Sequence, residues 1–160
     1  MRIIAMSDTH GNFECIESIY RAQPRADYYL HLGDGYAQAK LMRELHPEMP
    51  LLSVVGNCDV GVNDLDTGFL TLDDGRRILF THGHKYFVKY GLERLCEKAE
   101  SEGVCAAFFG HTHEPFCRKI NGIWYINPGS APQYNCVRFA SLEIINGEIV
   151  PNVTACLRDY

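Results

Sequence analysis

The sequence predicts an α/β fold in which two β-sheets pack face to face and are covered by helices. Three observations predict it. The first third of the chain alternates apolar strand-like runs with amphipathic helical segments, the pattern of parallel strands joined by crossover helices. The remainder carries three Asx-Gly turn signals, each between two strand-like runs, which calls for antiparallel hairpins. One helical segment interrupts those hairpins and leads back into a buried strand. At 160 residues the chain is the size of an ordinary domain, so 1–160 is read as one unit.

The elements follow in order. RIIAM (Arg2 to Met6) is a strand, and the next apolar positions, Phe13, Ile16, Ile19 and Tyr20, fall at helical spacing. Asn12 suits the cap of that helix, with Glu14 and Glu17 near the end where the dipole favours them. YYLHL (Tyr28 to Leu32) is a second strand, Ala37 to Leu45 a helix, and LLSVV (Leu51 to Val55) a third strand. FLTLD and RILFTH flank Asp74-Gly75 as a hairpin. A helix then places Leu92, Leu95, Cys96 and Ala99 on one face, and VCAAFF (Val104 to Phe109) returns to a strand. RKI and IWYI flank Asn121-Gly122, and LEII and EIV flank Asn146-Gly147, giving two more hairpins.

Composition narrows the function classes. With 46% hydrophobic and 22% charged residues the chain reads as globular rather than disordered. A formal charge of −5 and a pI near 5.8 argue against general nucleic-acid binding, which needs clustered Lys and Arg. The densest basic run is Arg76-Arg77. No stretch approaches a membrane span, and the five-residue apolar run at the start is too short for a signal peptide, so a cytoplasmic protein is expected. The seven cysteines are an odd, scattered set without CxxC pairs, which suggests neither a disulfide framework nor a zinc knuckle.

Residues with metal-ligand chemistry collect just after the apolar runs, where strand-end loops build sites in α/β folds. RIIAM is followed by Asp8 and His10, YYLHL by Asp34, LLSVV by Asn57, RILFT by His82 and His84, and CAAFF by His111 and His113. If the strand ends lie side by side, Asp8, His10, Asp34, Asn57, His82, His111 and His113 form one cluster of imidazole and oxygen donors suited to divalent transition metals. In extended backbone, Asp8 with His10 and His111 with His113 would point to a common side. Glycines at 33, 56, 83 and 110 would let the backbone turn beside that volume. Seven donors exceed the needs of one ion but suit two ions with a bridging carboxylate and open positions for water.

The ordered blocks DTH, GD, GNCD, THGH and GHTH, with INPGSAP (Ile126 to Pro132) beyond them, make the chain resemble the calcineurin-like metallophosphoesterases, and most strongly their small bacterial and archaeal phosphodiesterase branch. The resemblance implies a four-layer α/β/β/α sandwich. It also implies that Asp8, His10 and His113 hold one metal, that Asn57, His82 and His111 hold the other, and that Asp34 bridges them. In that family a metal-bridging hydroxide attacks phosphorus in line. The implied activity is hydrolysis of a small phosphodiester, with Asp34, Asn57 and His84 as catalytic positions. Mn²⁺ leads the expected metals, and Fe²⁺, Ni²⁺ and Zn²⁺ also suit the donors.

One position departs from the family. Where many relatives follow the GN block with histidine, this chain has Cys58, and a thiol is a poorer general acid than imidazole. That shifts the expectation away from broad phosphomonoesterase activity and toward diesters with acidic leaving groups, with His84 or metal-bound water supplying a proton. A phosphomonoesterase and a protein-interaction scaffold of the same fold are the alternatives, and hairpin edges leave a homo-oligomer open. Bland readings are assigned elsewhere. His31 is read as a hydrogen-bonded core histidine, His46 as solvated, Asp59 as a loop brace, and Asn127 to Ser130 as a turn near the site. YYL and YFVKY are read as core packing rather than base-stacking platforms.

Overall fold

Alternation along β1 (Arg2–Met6) divides the interior. Ile3 and Ala5 enter the cluster between two sheets, whereas Ile4 and Met6 enter a second cluster under helices, because successive strand side chains point to opposite faces. In the computed structural model, which describes residues 1–157, the first sheet adds β2 (Tyr28–His31), β3 (Leu51–Ser53), β9 (Cys136–Ile145) and β10 (Glu148–Leu157) to β1, in the order β10-β9-β1-β2-β3. The second sheet runs β4-β5-β6-β8-β7, built from β4 (Thr67–Thr71), β5 (Arg77–Thr81), β6 (Ala106–Phe108), β7 (Phe116–Ile120) and β8 (Ile123–Asn127).

Three apolar clusters give four layers. Leu30, Leu32, Ile78, Phe80, Phe108 and Leu142 fill the space between the sheets. Helices α1 (Phe13–Ala22) and α2 (Tyr36–Leu45) cover the outer face of the first sheet through Ile16, Ile19 and Met42. Helix α3 (Glu93–Ser101) covers the second through Leu95 and Ala99, packed with Leu79, Ala107 and Tyr125. The four-layer α/β/β/α arrangement is therefore present, with both sheets mixed. The Asn12 side chain accepts from the Cys15 N–H at 3.2 Å and caps α1.

All three Asx-Gly turns join antiparallel pairs: β4 to β5, β7 to β8 and β9 to β10. The centre of the second sheet is parallel, since β6 lies beside both β5 and β8 in parallel register. Hairpin signals do not report such long-range pairings. LLSVV is strand only through Ser53, and a short 3-10 turn (His84–Tyr86) follows the THG segment. The YFVKY segment is not simply core: Val88 is buried, but Phe87 is 50% and Tyr90 91% exposed. His46 is not simply solvated either, since its ring lies 5.1 Å from Tyr20 and its Nδ1 3.2 Å from Glu48.

Candidate metal centre

The parallel pairings put the C-terminal ends of β1, β2 and β3 along one edge, and those of β5 and β6 along the facing edge. Backbone hydrogen bonds then lash the loops together. The Asp8 N–H donates to the Gly33 carbonyl (3.1 Å), His10 N–H to Asp34 carbonyl (2.9 Å), and Gly110 N–H to His82 carbonyl (3.1 Å). All seven predicted ligands meet as a result. His113 Nε2 lies 3.2 Å from both Asp8 Oδ1 and His10 Nε2. His82 Nε2 lies 3.1 Å from Asn57 Oδ1, 3.2 Å from His111 Nδ1 and 3.5 Å from Asp34 Oδ2.

The convergence is not achieved through extended backbone. Asp8 (φ 55°), His10 (45°), Asp34 (55°), His111 (68°) and His113 (62°) all occupy the left-handed region. Asp8 with His10 and His111 with His113 thus approach one volume through left-handed rather than extended backbone. Non-glycine residues adopt this region only against a steric cost, and five of the seven candidates doing so places backbone strain at the site. Asp34 N–H is held by the Asp59 carboxylate, which also accepts from Gly35, Tyr36 and Gly56 N–H at 2.8–2.9 Å. Asp59 is the loop brace expected, and it sits at the N-terminus of α2, where negative charge is favoured.

Several of the polar atoms that face one another are acceptors. His82 Nδ1 lies 2.8 Å from the Leu32 carbonyl oxygen, which can only accept, so Nδ1 carries the proton. In the neutral ring Nε2 is then a lone pair, aimed at the oxygens of Asn57 and Asp34. The Asn57 amide nitrogen turns to Cys58 Sγ (3.3 Å), which orients its oxygen toward His82. Asp8 Oδ1 is buried with no hydrogen bond, although His113 Nε2 is within ion-pair range. The gathered set of imidazole nitrogens, carboxylate oxygens and an amide oxygen fits divalent transition metals. Asp8, His10 and His113 lie within ligand distance of one another; Asp34 joins Asp8 and His82 in a second such group and His10 and Cys58 in a third.

Electrostatics favour the ligating protonation states. Burial, then the neighbouring His82, lowers the His111 pKa to about 4, keeping the imidazole neutral. Burial pushes the Asp34 carboxyl up, but the Cys58 N–H at 2.8 Å and then His82 outweigh it, and its pKa is lowered. The Asp34 hydrogen bond, then burial, raise the Cys58 thiol. Cys58 is exposed and stays protonated, which removes it as a nucleophile. His84 places its ring 5.4 Å from His82 and 6.1 Å from His111, with Nδ1 buried and without a hydrogen bond, and burial lowers its pKa.

Two of the four glycines answer to space rather than to φ. A Cβ on Gly56 would lie 2.5 Å from Asp34 N and closer still to its Oδ1, and one on Gly110 would collide with Ser7 Oγ and lie 2.9 Å from Asp8 Oδ2. His31 is the core histidine expected: Nδ1 accepts from Gly33 N–H (3.3 Å) and Nε2 donates to Thr9 Oγ1 (3.0 Å). Asn127 is buried and braces the GHTH loop, donating to the Gly110 carbonyl and Thr112 Oγ1, both at 3.0 Å. Ser130 Oγ donates to the Asp8 carbonyl at 3.1 Å. The sequence reading missed the Leu32 carbonyl that fixes His82, because a backbone acceptor has no residue signature.

Comparison with known proteins places the chain in a family. A curated relative, the probable metallophosphoesterase YsnB of Bacillus subtilis, is 33% identical over 162 aligned positions, covering 100% of this chain and 90% of that protein. A conserved uncharacterized protein from Streptococcus pneumoniae, described as a predicted phosphoesterase, superposes with a TM-score of 0.80 at 25% identity, covering 95% of this chain and 87% of the other. A novel archaeal phosphodiesterase gives 0.72 at 23% identity (96% and 100% covered). Vps29 from Entamoeba histolytica, solved with zinc, gives 0.71 at 19% identity (97% and 99%). The last two show likeness of fold. Residues 1–145 match the calcineurin-like phosphoesterase superfamily domain, and the chain belongs to that superfamily.

Proposed function

We propose that the chain is a phosphodiesterase working with two divalent metal ions, held by Asp8, His10, Asp34, Asn57, His82, His111 and His113. The observation that carries this reading is the gathering of lone pairs at one place, with His82 Nε2 aimed at Asn57 Oδ1 and Asp34 Oδ2 and the buried Asp8 Oδ1 left without a hydrogen bond. Asp8, His10 and His113 suit one ion, and Asn57, His82 and His111 the other. Asp34 has His10 on one side and His82 on the other, the place of a bridging ligand. When bound, such a pair supplies an activated water and offsets charge accumulating on the phosphoryl oxygens. Mn²⁺ is the first choice, and Fe²⁺, Ni²⁺ and Zn²⁺ also suit these donors.

The chain's own residues define the rest. The Leu32 carbonyl orients the His82 ring and the Cys58 N–H holds the Asp34 carboxylate, which suits a site formed before substrate arrives. Cys58 contributes a weakly acidic thiol where protonation of a leaving alkoxide would need a stronger acid, which favours diesters whose leaving groups depart unprotonated. His84, whose ring lies 5.4 Å from His82 and 6.1 Å from His111, takes the role of a substrate-facing residue rather than a metal ligand in this reading. The family-wide activity is phosphate-ester hydrolysis, and the likeness to an archaeal phosphodiesterase supports the diester reading.

The fold likeness to Vps29, a vacuolar protein sorting protein, favours a second reading, a protein-interaction scaffold of the same fold. Metal content alone does not separate the two, because that protein was solved with zinc. Turnover does. Metal-loaded protein is expected to hydrolyse bis(4-nitrophenyl) phosphate faster than 4-nitrophenyl phosphate. Stoichiometric metal with no hydrolysis of either ester under Mn²⁺, Fe²⁺, Ni²⁺ or Zn²⁺ would overturn the enzymatic reading.

A further inference from the structure

Two clefts lie beside the loops that carry the candidate ligands. One, about 440 Å³, is lined by His10, Asp34, Cys58 and the exposed Val60, all from loops after β1, β2 and β3. The other, about 460 Å³, belongs to the second sheet and contains none of the seven ligands. Its walls are Val88, Leu92, Phe109 and Phe116. A volume in the range of about 300–1,000 Å³ with apolar and aromatic walls and few polar groups is the usual form of a small-molecule site.

This second cleft borders the loop that carries His111 and His113. Thr112, which lines it, stands between His111 and His113, and Phe109 leads directly into Gly110. The Thr112 hydroxyl is held by the Asn127 amide, so that wall is fixed. Lys89 lines the cleft and is near enough for its charge to act on His111. Glu114 lines it as well, so one cation and one anion share its lining. Balanced charge over apolar walls discriminates against a second phosphate and for an uncharged planar group.

We infer that the Val88–Leu92–Phe109–Phe116 cleft receives an aromatic ester arm of the substrate while its phosphoryl group lies at the metal centre. The inference rests on the phosphodiesterase reading above and extends it: a diester has two organic arms, and each sheet offers a cleft beside the ligand-bearing loops. The second-sheet cleft has the aromatic walls for a ring. The first-sheet cleft, with carboxylates and an exposed thiol, does not.

Binding tests this apart from turnover. Phenylphosphonate and methylphosphonate are titrated into Mn²⁺-loaded protein by calorimetry, with wild type, Leu92→Trp to fill the second-sheet cleft, and Val60→Trp to obstruct the first. Wild type is expected to bind the phenyl probe about tenfold more tightly, since burying most of a ring contributes on the scale of a tenfold change. Leu92→Trp should bring that ratio to near one with methylphosphonate affinity kept, and Val60→Trp should leave it unchanged. Equal affinities in wild type would overturn the inference without needing any variant to fold. A ratio lost in Val60→Trp and kept in Leu92→Trp would overturn it by placing the arm in the other cleft. Neither probe binding would remove both this inference and the reading beneath it. The expected ratios in a protein that hydrolyses no diester would remove the phosphodiesterase reading alone.

Discussion

His82 donates from Nδ1 to the carbonyl oxygen of Leu32 across 2.8 Å, joining the end of β5 to the end of β2. That bond fixes the tautomer and aims Nε2 at the centre, the outer-shell device by which proteins orient metal-binding histidines. With Nε2 facing Asn57 and Asp34 oxygens, a bound cation relieves lone-pair repulsion and stabilises the native state. At about 100 Kd of Mn²⁺ the gain is about 2.7 kcal/mol, or roughly 5–10 °C in Tm for a chain of this size. Scanning calorimetry of chelator-treated protein with and without Mn²⁺ checks this, and His82→Ala should abolish most of the shift.

Cys58 supplies the second prediction. Its thiol is held protonated beside Asp34, so iodoacetamide should alkylate it slowly at pH 7 despite its exposure. Restoring an imidazole by Cys58→His should raise kcat on an alkyl diester by about 10- to 100-fold and change an aryl diester little. No gain on the alkyl ester would mean that a missing acid is not what limits this enzyme.

A third prediction concerns space. Gly56→Ala would drive a methyl group into Asp34 N and Oδ1. Overpacking of this kind costs about 1–3 kcal/mol, measurable by urea denaturation, and displacement of Asp34 should weaken Mn²⁺ binding in titration calorimetry. Gly75→Ala, at an open hairpin turn with nothing within 4 Å of the added methyl, should leave metal binding unaltered.

Much of this was legible in the sequence, and the misses have physical causes. Asp8, His10, Asp34, Asn57, His82, His111 and His113 could be grouped because each follows an apolar run, and the strand ends do bring them together. Their left-handed backbone was not legible, because Asp and His carry no mark of φ as glycine does. Asx-Gly turns gave three hairpins correctly, yet the parallel β5-β6-β8 centre depends on contacts remote in sequence. Tyr90 and Phe87 looked like core by composition, but only the fold decides that Val88 turns inward and they do not.

His31 gives the pH dependence. Burial, as the largest cause, lowers its pKa to about 4 from the ordinary 6.5, and both ring nitrogens are engaged in the neutral form. A depressed histidine binds its proton in the unfolded chain before the folded one. Its contribution is therefore complete above about pH 6.5, declines as pH falls toward 4, and is level below that. Tm of metal-free protein should drop between pH 7 and 5. His31→Gln should be less stable at pH 7 but show a shallower drop over that window, and an unchanged slope would remove His31 as a cause.

The most direct measurement of the central claim is bis(4-nitrophenyl) phosphate hydrolysis by Asp34→Asn beside wild type, both saturated with Mn²⁺ and both assayed for bound metal. Two divalent ions sharing Asp34 predict two Mn²⁺ per wild-type chain, fewer in the variant, and a fall in kcat/KM of at least about 10²-fold, the scale for removing one electrostatic element of a catalytic site. Wild-type turnover by a correctly folded Asp34→Asn protein would contradict the two-metal account.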